Sequence, residues 1–144
     1  MIIERGSEKR YAEVLQIVKN FYQEALKEYG TQIDEATLLN NFAKYQKDSF
    51  LLIIDGKCEG LIAGVEVRDP LNNAKVYQEI IWYVNEPHRK YGVFLLNKTL
   101  EILKTEGYTS MVMALMHNSK TEKIGKLYER MGFKPFETHY LRNL

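Results

Sequence analysis

Six consecutive residues have the composition of a phosphate-binding turn. Arg89-Lys90-Tyr91-Gly92-Val93-Phe94 follows an apolar run at residues 76–84 and leads into a helical pattern. A helix start offers free backbone N–H groups and the positive end of the helix dipole, and both attract anions. Gly92 has no side chain to keep a phosphate at a distance, and Arg89 and Lys90 add positive charge. The run is compatible with an anion site and with a plain strand-to-helix turn, and by itself it does not decide between them.

A carboxylate interrupts the apolar run before this turn. Glu79 lies in its middle, where burying a charge without partners is costly. If the turn at residues 69–74 pairs Arg68 with Lys75, Glu79 lies opposite Gly64, and the absent side chain leaves room above the carboxylate. Glu79 is then a candidate to accept the proton of an amine, directly or through water, or to bind a cationic substrate. The alternative is a carboxylate at the rim of the site, paired with a lysine.

The composition restricts the class of protein. The 144 residues carry 20 basic and 19 acidic side chains and are 45% apolar, which is ordinary for one soluble globular domain. Without a basic excess, a nucleic-acid partner is not expected. One cysteine excludes an internal disulfide, and three widely separated histidines give no metal-ligand spacing. We find no signal-peptide core and no apolar run long enough to span a membrane, so a cytoplasmic protein without a membrane partner is expected.

Hydrophobic periodicity predicts the elements that position the turn and the carboxylate. A short strand at residues 2–3 precedes a helix that begins after Ser7 and ends at Gly30, and Asp34 begins a second helix. A third helix follows the turn, and Ser119-Lys120-Thr121-Glu122 has the form of a capping box that begins a fourth. Five further strands are predicted at residues 50–54, 61–67, 76–84, 111–116 and 133–140. The order β-α-α-β-β-β-α-β-α-β indicates a mixed α/β sheet with helices on both faces.

Two motifs in this order resemble the GNAT family of N-acetyltransferases. The family signature Gln/Arg-x-x-Gly-x-Gly/Ala is similar to Arg89 through Phe94, and a late Leu-Tyr-x-x-x-Gly-Phe pattern is similar to Leu127 through Phe133. Leu127 follows Gly92 by 35 positions, as the family requires, and the element order fits over essentially the whole chain. Two residues depart from the pattern: Phe94 stands where the family prefers Gly or Ala, and Lys90 where a Gly is common.

The resemblance implies one acetyltransferase domain over residues 1–144, a mostly antiparallel sheet flanked by helices, and acetyl-CoA as cosubstrate, without a metal. It implies that the strand before the turn separates from the next strand and that the pantetheine arm fills the gap. A backbone N–H of Tyr83 or Val84 would stabilise the oxyanion. The implied cofactor-binding residues are Tyr83, Val84, Arg89, Lys90, Tyr91, Gly92, Val93, Phe94 and Asn118.

The resemblance also implies a reaction, the direct attack of an amine on the thioester. Tyr128 would donate a proton to the departing thiolate, because a phenol held close to a thiolate can do so; the alternative is that Tyr128 only belongs to the apolar stripe of its helix. Glu79 would be the base. A small-molecule or peptide amine is the expected acceptor, with Tyr22, Tyr29 and Glu66 as candidate contacts.

Phe94 keeps a second class of function open, an inactive member of this fold that binds an acyl-CoA or another protein without turnover. The oligomeric state is also open, and a homodimer agrees with the resemblance.

Overall fold

A five-stranded sheet organises the first of the two units into which the chain divides. The computed structural model describes residues 1–118 and 120–144, and the units are Met1–Ala114 and Leu115–Leu144. The strands lie side by side in chain order: β1 (Ile2–Arg5), β2 (Ser49–Ile54), β3 (Lys57–Arg68), β4 (Lys75–Val84) and β5 (Ser110–Val112). Neighbours are antiparallel except for β4 and β5, which are parallel. The predicted class, a mixed and mostly antiparallel α/β sheet, is confirmed.

Helices cover both faces of this sheet. Buried side chains of α1 (Tyr11–Phe21) and α2 (Glu35–Tyr45) pack in one cluster with inward-facing strand residues, among them Leu61 and Ile81. Side chains alternate along a strand, so Trp82 faces the opposite side from Ile81. There it lies beneath the start of α3 (Gly92–Thr105), whose buried residues are Gly92, Leu95, Leu96, Thr99 and Leu103.

The segment around α1 differs from the prediction at its start and agrees with it at its end. Ser7 precedes a short 3-10 turn, Glu8–Arg10, and makes no side-chain cap hydrogen bond. Beyond Phe21 the helix continues through a π-helical turn, Tyr22–Leu26, and a 3-10 turn, Lys27–Tyr29. It ends at Gly30, which has a φ of 75°. A π-helical turn inside a helical segment often marks a functional site.

Strand β4 has the predicted register in its first half and a bulge in its second. Arg68 pairs with Lys75 and Gly64 with Glu79, as expected, but Ala63 pairs with Ile81. One residue of β4, Ile80, is therefore left over between the two pairs. A bulge of this kind changes which backbone groups face the partner strand.

Two hydrogen bonds show that the backbone groups of β4 that face β3 change from even-numbered to odd-numbered residues at the bulge. The Asp69 N–H donates to the Ala74 carbonyl (2.9 Å), and the Asn85 N–H donates to the Glu59 carbonyl (2.8 Å). Because backbone groups alternate sides along an antiparallel ladder, the N–H and carbonyl groups of even-numbered residues of β4 hydrogen-bond to β3 before the bulge. After the bulge, those of odd-numbered residues hydrogen-bond to β3. The backbone groups of residues 75, 77 and 79, and then those of 82 and 84, face the other side.

On that other side, β5 is shorter than predicted. It ends at Val112 instead of residue 116, and it pairs only with Val76, Tyr77 and Gln78. Within residues 1–118 and 120–144, β4 has no strand partner on this side beyond Gln78. The two strands therefore part in the middle of β4, as the resemblance implied.

The second unit contains α4 (Thr121–Arg130), at the predicted place. Ser119, the first residue of the predicted capping box, lies outside the described residues. The last predicted strand is absent, since residues 133–144 form neither helix nor strand. Pro135 has no N–H to give to a ladder, and Phe136 and Tyr140 are 80% and 95% exposed, so little apolar burial would stabilise a strand here.

We predict that Gly64→Ala destabilises the protein by about 1–3 kcal/mol. A Cβ at Gly64 would overlap the Gln78 carbonyl and lie 2.7 Å from the Tyr77 ring. The Gln78 carbonyl is backbone and cannot rotate away. The midpoint of urea unfolding measures the effect. Gly125→Ala is the matched control. Among residues 1–118 and 120–144, its Cβ would meet Leu115 alone, at 3.6 Å, inside a helix, so equal or greater stability is expected there. Equal midpoints for Gly64→Ala and the native protein would contradict the overlap.

Candidate active site

Glu79 lies where β4 and β5 part. Its side chain is buried (6% exposed), and its Oε2 accepts a hydrogen bond from the Ala114 N–H at 2.9 Å. Burial raises the pKa of Glu79 to about 7, although the Ala114 hydrogen bond acts in the opposite direction. A carboxyl group with a pKa near neutrality can take and release a proton under physiological conditions.

The space above Gly64 is not open, contrary to the expectation from the sequence. The Tyr77 ring fills it, and the Tyr77 hydroxyl donates to the Asp48 carbonyl at 2.5 Å. Gly64 is therefore required by the packing of Tyr77. Glu79 lies opposite Gly64 as predicted, but the missing side chain does not give access to its carboxylate.

The end of β4 presents different groups at Tyr83 and Val84. The Val84 backbone faces the side of β4 that β5 leaves open, whereas the Tyr83 backbone faces β3. The Tyr83 side chain extends to the face covered by α1, where it packs edge-on against Phe21 at 5.9 Å between ring centroids. Of the two candidate oxyanion donors, only the Val84 N–H points toward the open edge.

The turn after β4 is more helical than predicted. A 3-10 turn, Glu86–Tyr91, runs directly into α3, and the Gly92 N–H donates to the Arg89 carbonyl. Gly92 is buried, and a Cβ on it would lie 3.5 Å from Trp82. An anion that uses the Gly92 N–H must therefore replace an existing hydrogen bond.

The remaining side chains of the turn are arranged at its surface. Lys90 is exposed, and its Nζ lies 5.1 Å from the Tyr91 ring centroid. The Tyr91 ring stacks on the His88 ring, with 6.5 Å between ring centroids. Val93 is exposed and Phe94 is half-buried. Lys90 and Val93 are thus accessible to a ligand.

Arg89 is the most connected residue of the turn. Its Nε donates to the Val84 carbonyl (3.2 Å), and its Nη2 donates to the Tyr83 hydroxyl (3.2 Å) and to the Glu24 carboxylate. The Tyr83 hydroxyl donates to the same Glu24 Oε2 at 2.9 Å. Burial lowers the pKa of Arg89, but these hydrogen bonds outweigh it and raise the pKa. Arg89 therefore ties the turn to the end of β4 and to the π-helical turn that follows α1.

The candidate acceptor contacts are distributed over two places. Tyr22 and Tyr29 are half-buried in the turns that follow α1. Glu66 is exposed on β3, and its carboxylate forms ion pairs with Arg68 (3.1 Å) and Lys75 (3.7 Å). The first unit also contains an open groove of about 560 Å³, whose walls include the three carboxylates Glu24, Glu59 and Glu86 together with Tyr83.

In the second unit, Tyr128 is buried on α4 and packs on Phe133 with 5.4 Å between ring centroids. Asn118 precedes the same helix. Its Oδ1 accepts from the Lys120 N–H at 2.8 Å, and its own N–H donates to the Thr121 hydroxyl at 2.7 Å. Asn118 thus stabilises the start of α4.

The sequence analysis did not predict a role for three residues of the first unit that contact the site. Glu24 is an exposed acid on a helical segment, Gln78 is one of many polar strand residues, and Ala114 participates through its backbone. Only the π-helical turn at Glu24 is an unusual feature, and it is visible in the structure alone.

Two negative findings apply to the described part of the chain. No cluster of three or more His, Cys, Asp or Glu side chains there has the arrangement of a metal site. No helix among the same residues is both long and apolar enough to cross a membrane.

Comparisons with known proteins establish the fold and the family. No curated protein matches the chain in sequence. The fold is similar to a ribosomal-protein-alanine N-acetyltransferase from Brucella melitensis biovar Abortus 2308, with a TM-score of 0.77, 14% identity and full coverage of both chains. It is also similar to a Trypanosoma brucei acetyltransferase, with a TM-score of 0.75 and 15% identity over 99% of each chain.

An aminoglycoside acetyltransferase from an uncultured soil metagenomic sample has a TM-score of 0.77 and 13% identity, over 99% of this chain and 95% of that one. At such identities these structures establish the fold. The family model of the Acetyltransferase (GNAT) family matches residues 11–133, which include both β4 with its turn and α4. The chain belongs to the GNAT family of acetyltransferases.

Proposed function

We propose that this protein is an N-acetyltransferase that moves the acetyl group of acetyl-CoA to an amine by direct attack. The observation that carries the proposal is Glu79, a buried carboxyl group with its pKa raised to about 7, at the point where β4 and β5 part. An amine must lose a proton to complete its attack on a thioester. A base whose pKa is near the working pH suits this step.

The residues around the point where β4 and β5 part fit acetyl-CoA. The Val84 backbone faces the open edge of β4, where an extended pantetheine arm can pair with it in place of β5. Gly92, without a side chain, and the exposed Lys90 lie at the turn where the pyrophosphate would bind. Acetyl-CoA supplies the acetyl group as a thioester.

Three groups of this chain would act on the reacting atoms. Glu79 takes the proton of the amine, directly or through water. The Val84 N–H donates to the oxyanion, an interaction that typically contributes about 3–4 kcal/mol in a dry site. Tyr128 donates a proton to the departing thiolate. The role of Tyr128 rests on the family motif Leu127-Tyr128 through Gly132-Phe133.

The acceptor we propose is a small-molecule or peptide amine. Carboxylates in the groove beside Tyr83 suit a cationic amine, because they attract it before it is deprotonated. The solved structures with this fold include enzymes named for aminoglycosides and for a ribosomal protein, so a panel must contain both kinds of amine.

Calorimetry with acetyl-CoA, followed by an assay for free thiol with an amine panel, tests the function. Binding together with amine-dependent thiol release is expected. Absence of binding at millimolar acetyl-CoA would overturn the proposal. Binding without release on any amine would favour the alternative, an inactive acyl-CoA-binding or protein-interaction module. The observations that favour this alternative are Phe94 at the helix start and the engaged Gly92 N–H.

We predict that Arg89→Lys weakens acetyl-CoA binding about tenfold, nearly as much as Arg89→Gln. Lysine keeps the charge but cannot reach Val84, Tyr83 and Glu24 together, so the turn loses its attachment. The dissociation constant from calorimetry measures the effect. Lys90→Gln, which removes a charge at the exposed neighbouring position, is the matched control, with a change of about threefold or less. Native affinity in Arg89→Lys would show that only the charge of Arg89 matters.

A further inference from the structure

The β4–β5 ladder stops at the pair Gln78–Val112, although the polypeptide continues beyond both residues. Gln78 pairs with Val112, and the phase of β4 directs the backbone of residue 79 toward β5. In a parallel ladder the next hydrogen bond in this register would join the Ala114 N–H to the Glu79 carbonyl. The structure does not contain that bond, and each of the two groups has another partner.

Side chains of β4 supply both partners. The Ala114 N–H donates to the Glu79 carboxylate Oε2 at 2.9 Å. The Glu79 carbonyl accepts from the Gln78 side-chain amide Nε2 at 3.3 Å. The donor and the acceptor of the absent hydrogen bond are therefore both satisfied, by the side chains of two adjacent residues of β4.

The side-chain contacts of Gln78 and Glu79 keep the β4–β5 ladder from extending. The buried Glu79 carboxylate accepts the hydrogen of the Ala114 N–H that would otherwise extend the ladder. A buried N–H or carbonyl without a partner costs free energy, so satisfying both groups removes the tendency of the ladder to close further. The bulge at Ile80 follows immediately and prevents a regular rung beyond this point.

We propose that Gln78 and Glu79 form a side-chain clamp that ends the β4–β5 ladder and holds open the slot between the strands. The occupant of the slot, the pantetheine arm of acetyl-CoA, rests on the proposed function, whereas the clamp does not. Glu79 then has a positioning role in addition to its role as base, and Gln78 is a positioning residue alone.

Two variants at Glu79 separate these roles. Glu79→Gln removes the base but keeps an oxygen that can accept from Ala114, so we expect the dissociation constant of CoA to stay within about twofold while turnover is lost. Glu79→Ala removes the base and the clamp together. The ladder is then free to close by one rung, and we expect CoA binding to weaken about tenfold or more. Equal CoA affinity in the two variants would overturn the clamp.

Gln78→Met tests the second half of the clamp at similar side-chain volume. It frees the Glu79 carbonyl to accept from Ala114, so we expect a KM for acetyl-CoA raised about threefold to tenfold with kcat at saturation unchanged. Val67→Ala, at a partly exposed position of β3, is the control and should change neither constant. An unchanged KM in Gln78→Met would remove Gln78 from the clamp.

A magnetic resonance measurement reads the clamp without any cofactor. Scalar coupling across a hydrogen bond should connect the Ala114 amide nitrogen to the side-chain carboxyl carbon of Glu79 in the native protein. In Glu79→Ala it should connect the same nitrogen to the backbone carbonyl carbon of position 79. A native coupling to the backbone carbonyl would overturn the clamp. If no form of the protein binds CoA while both couplings appear as expected, the proposed function fails and the clamp stands.

Discussion

Replacing Glu79 by glutamine is expected to lower kcat/KM for the amine by about 10²–10⁴-fold, the usual contribution of a positioned general base. The native protein should gain activity as the pH rises through about 7, because burial raises the pKa of Glu79 to that value and only the carboxylate accepts a proton. The variant should lack this rise. Initial rates over pH 5–9 measure both effects. A variant that keeps the native rise would assign it to another group.

The same substitution should change stability in a way that depends on pH. A glutamate in an unfolded chain titrates near pH 4.3, whereas burial moves the Glu79 pKa to about 7 in the folded protein. The folded state therefore binds the proton more strongly, and native stability falls as the pH rises through this window.

Glutamine is neutral throughout, so Glu79→Gln should be more stable than the native protein at pH 8, by about 4 kcal/mol at most. Near pH 4 the two should differ little. Urea unfolding at both pH values measures the difference. A variant that is less stable than the native protein at pH 8 would contradict the raised pKa.

Replacing Tyr128 by phenylalanine is expected to lower kcat about 100-fold, since the departing thiolate loses its proton donor. Phenylalanine keeps the ring that packs on Phe133, so the protein should fold normally and bind acetyl-CoA with native affinity. The readouts are kcat from thiol release and the dissociation constant from calorimetry.

Tyr140→Phe is the matched control, because Tyr140 lies in the same unit and is 95% exposed. It should leave kcat unchanged. Native turnover in Tyr128→Phe would favour the alternative raised by the sequence, in which Tyr128 only belongs to the apolar stripe of α4.

The register of the β3–β4 hairpin could be predicted because its turn is short and its partners follow by counting. Arg68 with Lys75 fixes Gly64 opposite Glu79, and the structure has both pairs. The bulge could not be predicted in this way. Ile80 and Ile81 are the same residue type, so the apolar pattern does not tell which of them is the extra residue. The space at Gly64 was misjudged because the sequence does not show that the Tyr77 ring crosses it.

The position of the turn between β4 and α3 can be predicted from the sequence, but the contacts of its side chains cannot. Glu24 reaches Arg89 from a helical segment 65 positions earlier, and an exposed acid on such a segment carries no sign of its partner. The predicted last strand rested on apolar residues at 133–140. Local composition does not establish a strand when the segment contains Pro135 and its side chains stay exposed.

The extra residue in β4 determines which side chains share a face. Without the bulge, Ile80 itself would pair with Ala63. Residues 81 and 83 would then turn to the α3 side, and Tyr83 would lose Glu24 and Arg89. The Ile80 side chain itself is 62% exposed. A broad range of residues should therefore be accepted at position 80. The ladder should also accept its deletion, because Ile81 would then follow Glu79 directly and both would keep their partners, Ala63 and Gly64, and their faces of the sheet. At this point the fold specifies which residues of the two strands pair more strictly than it specifies the residue between the pairs.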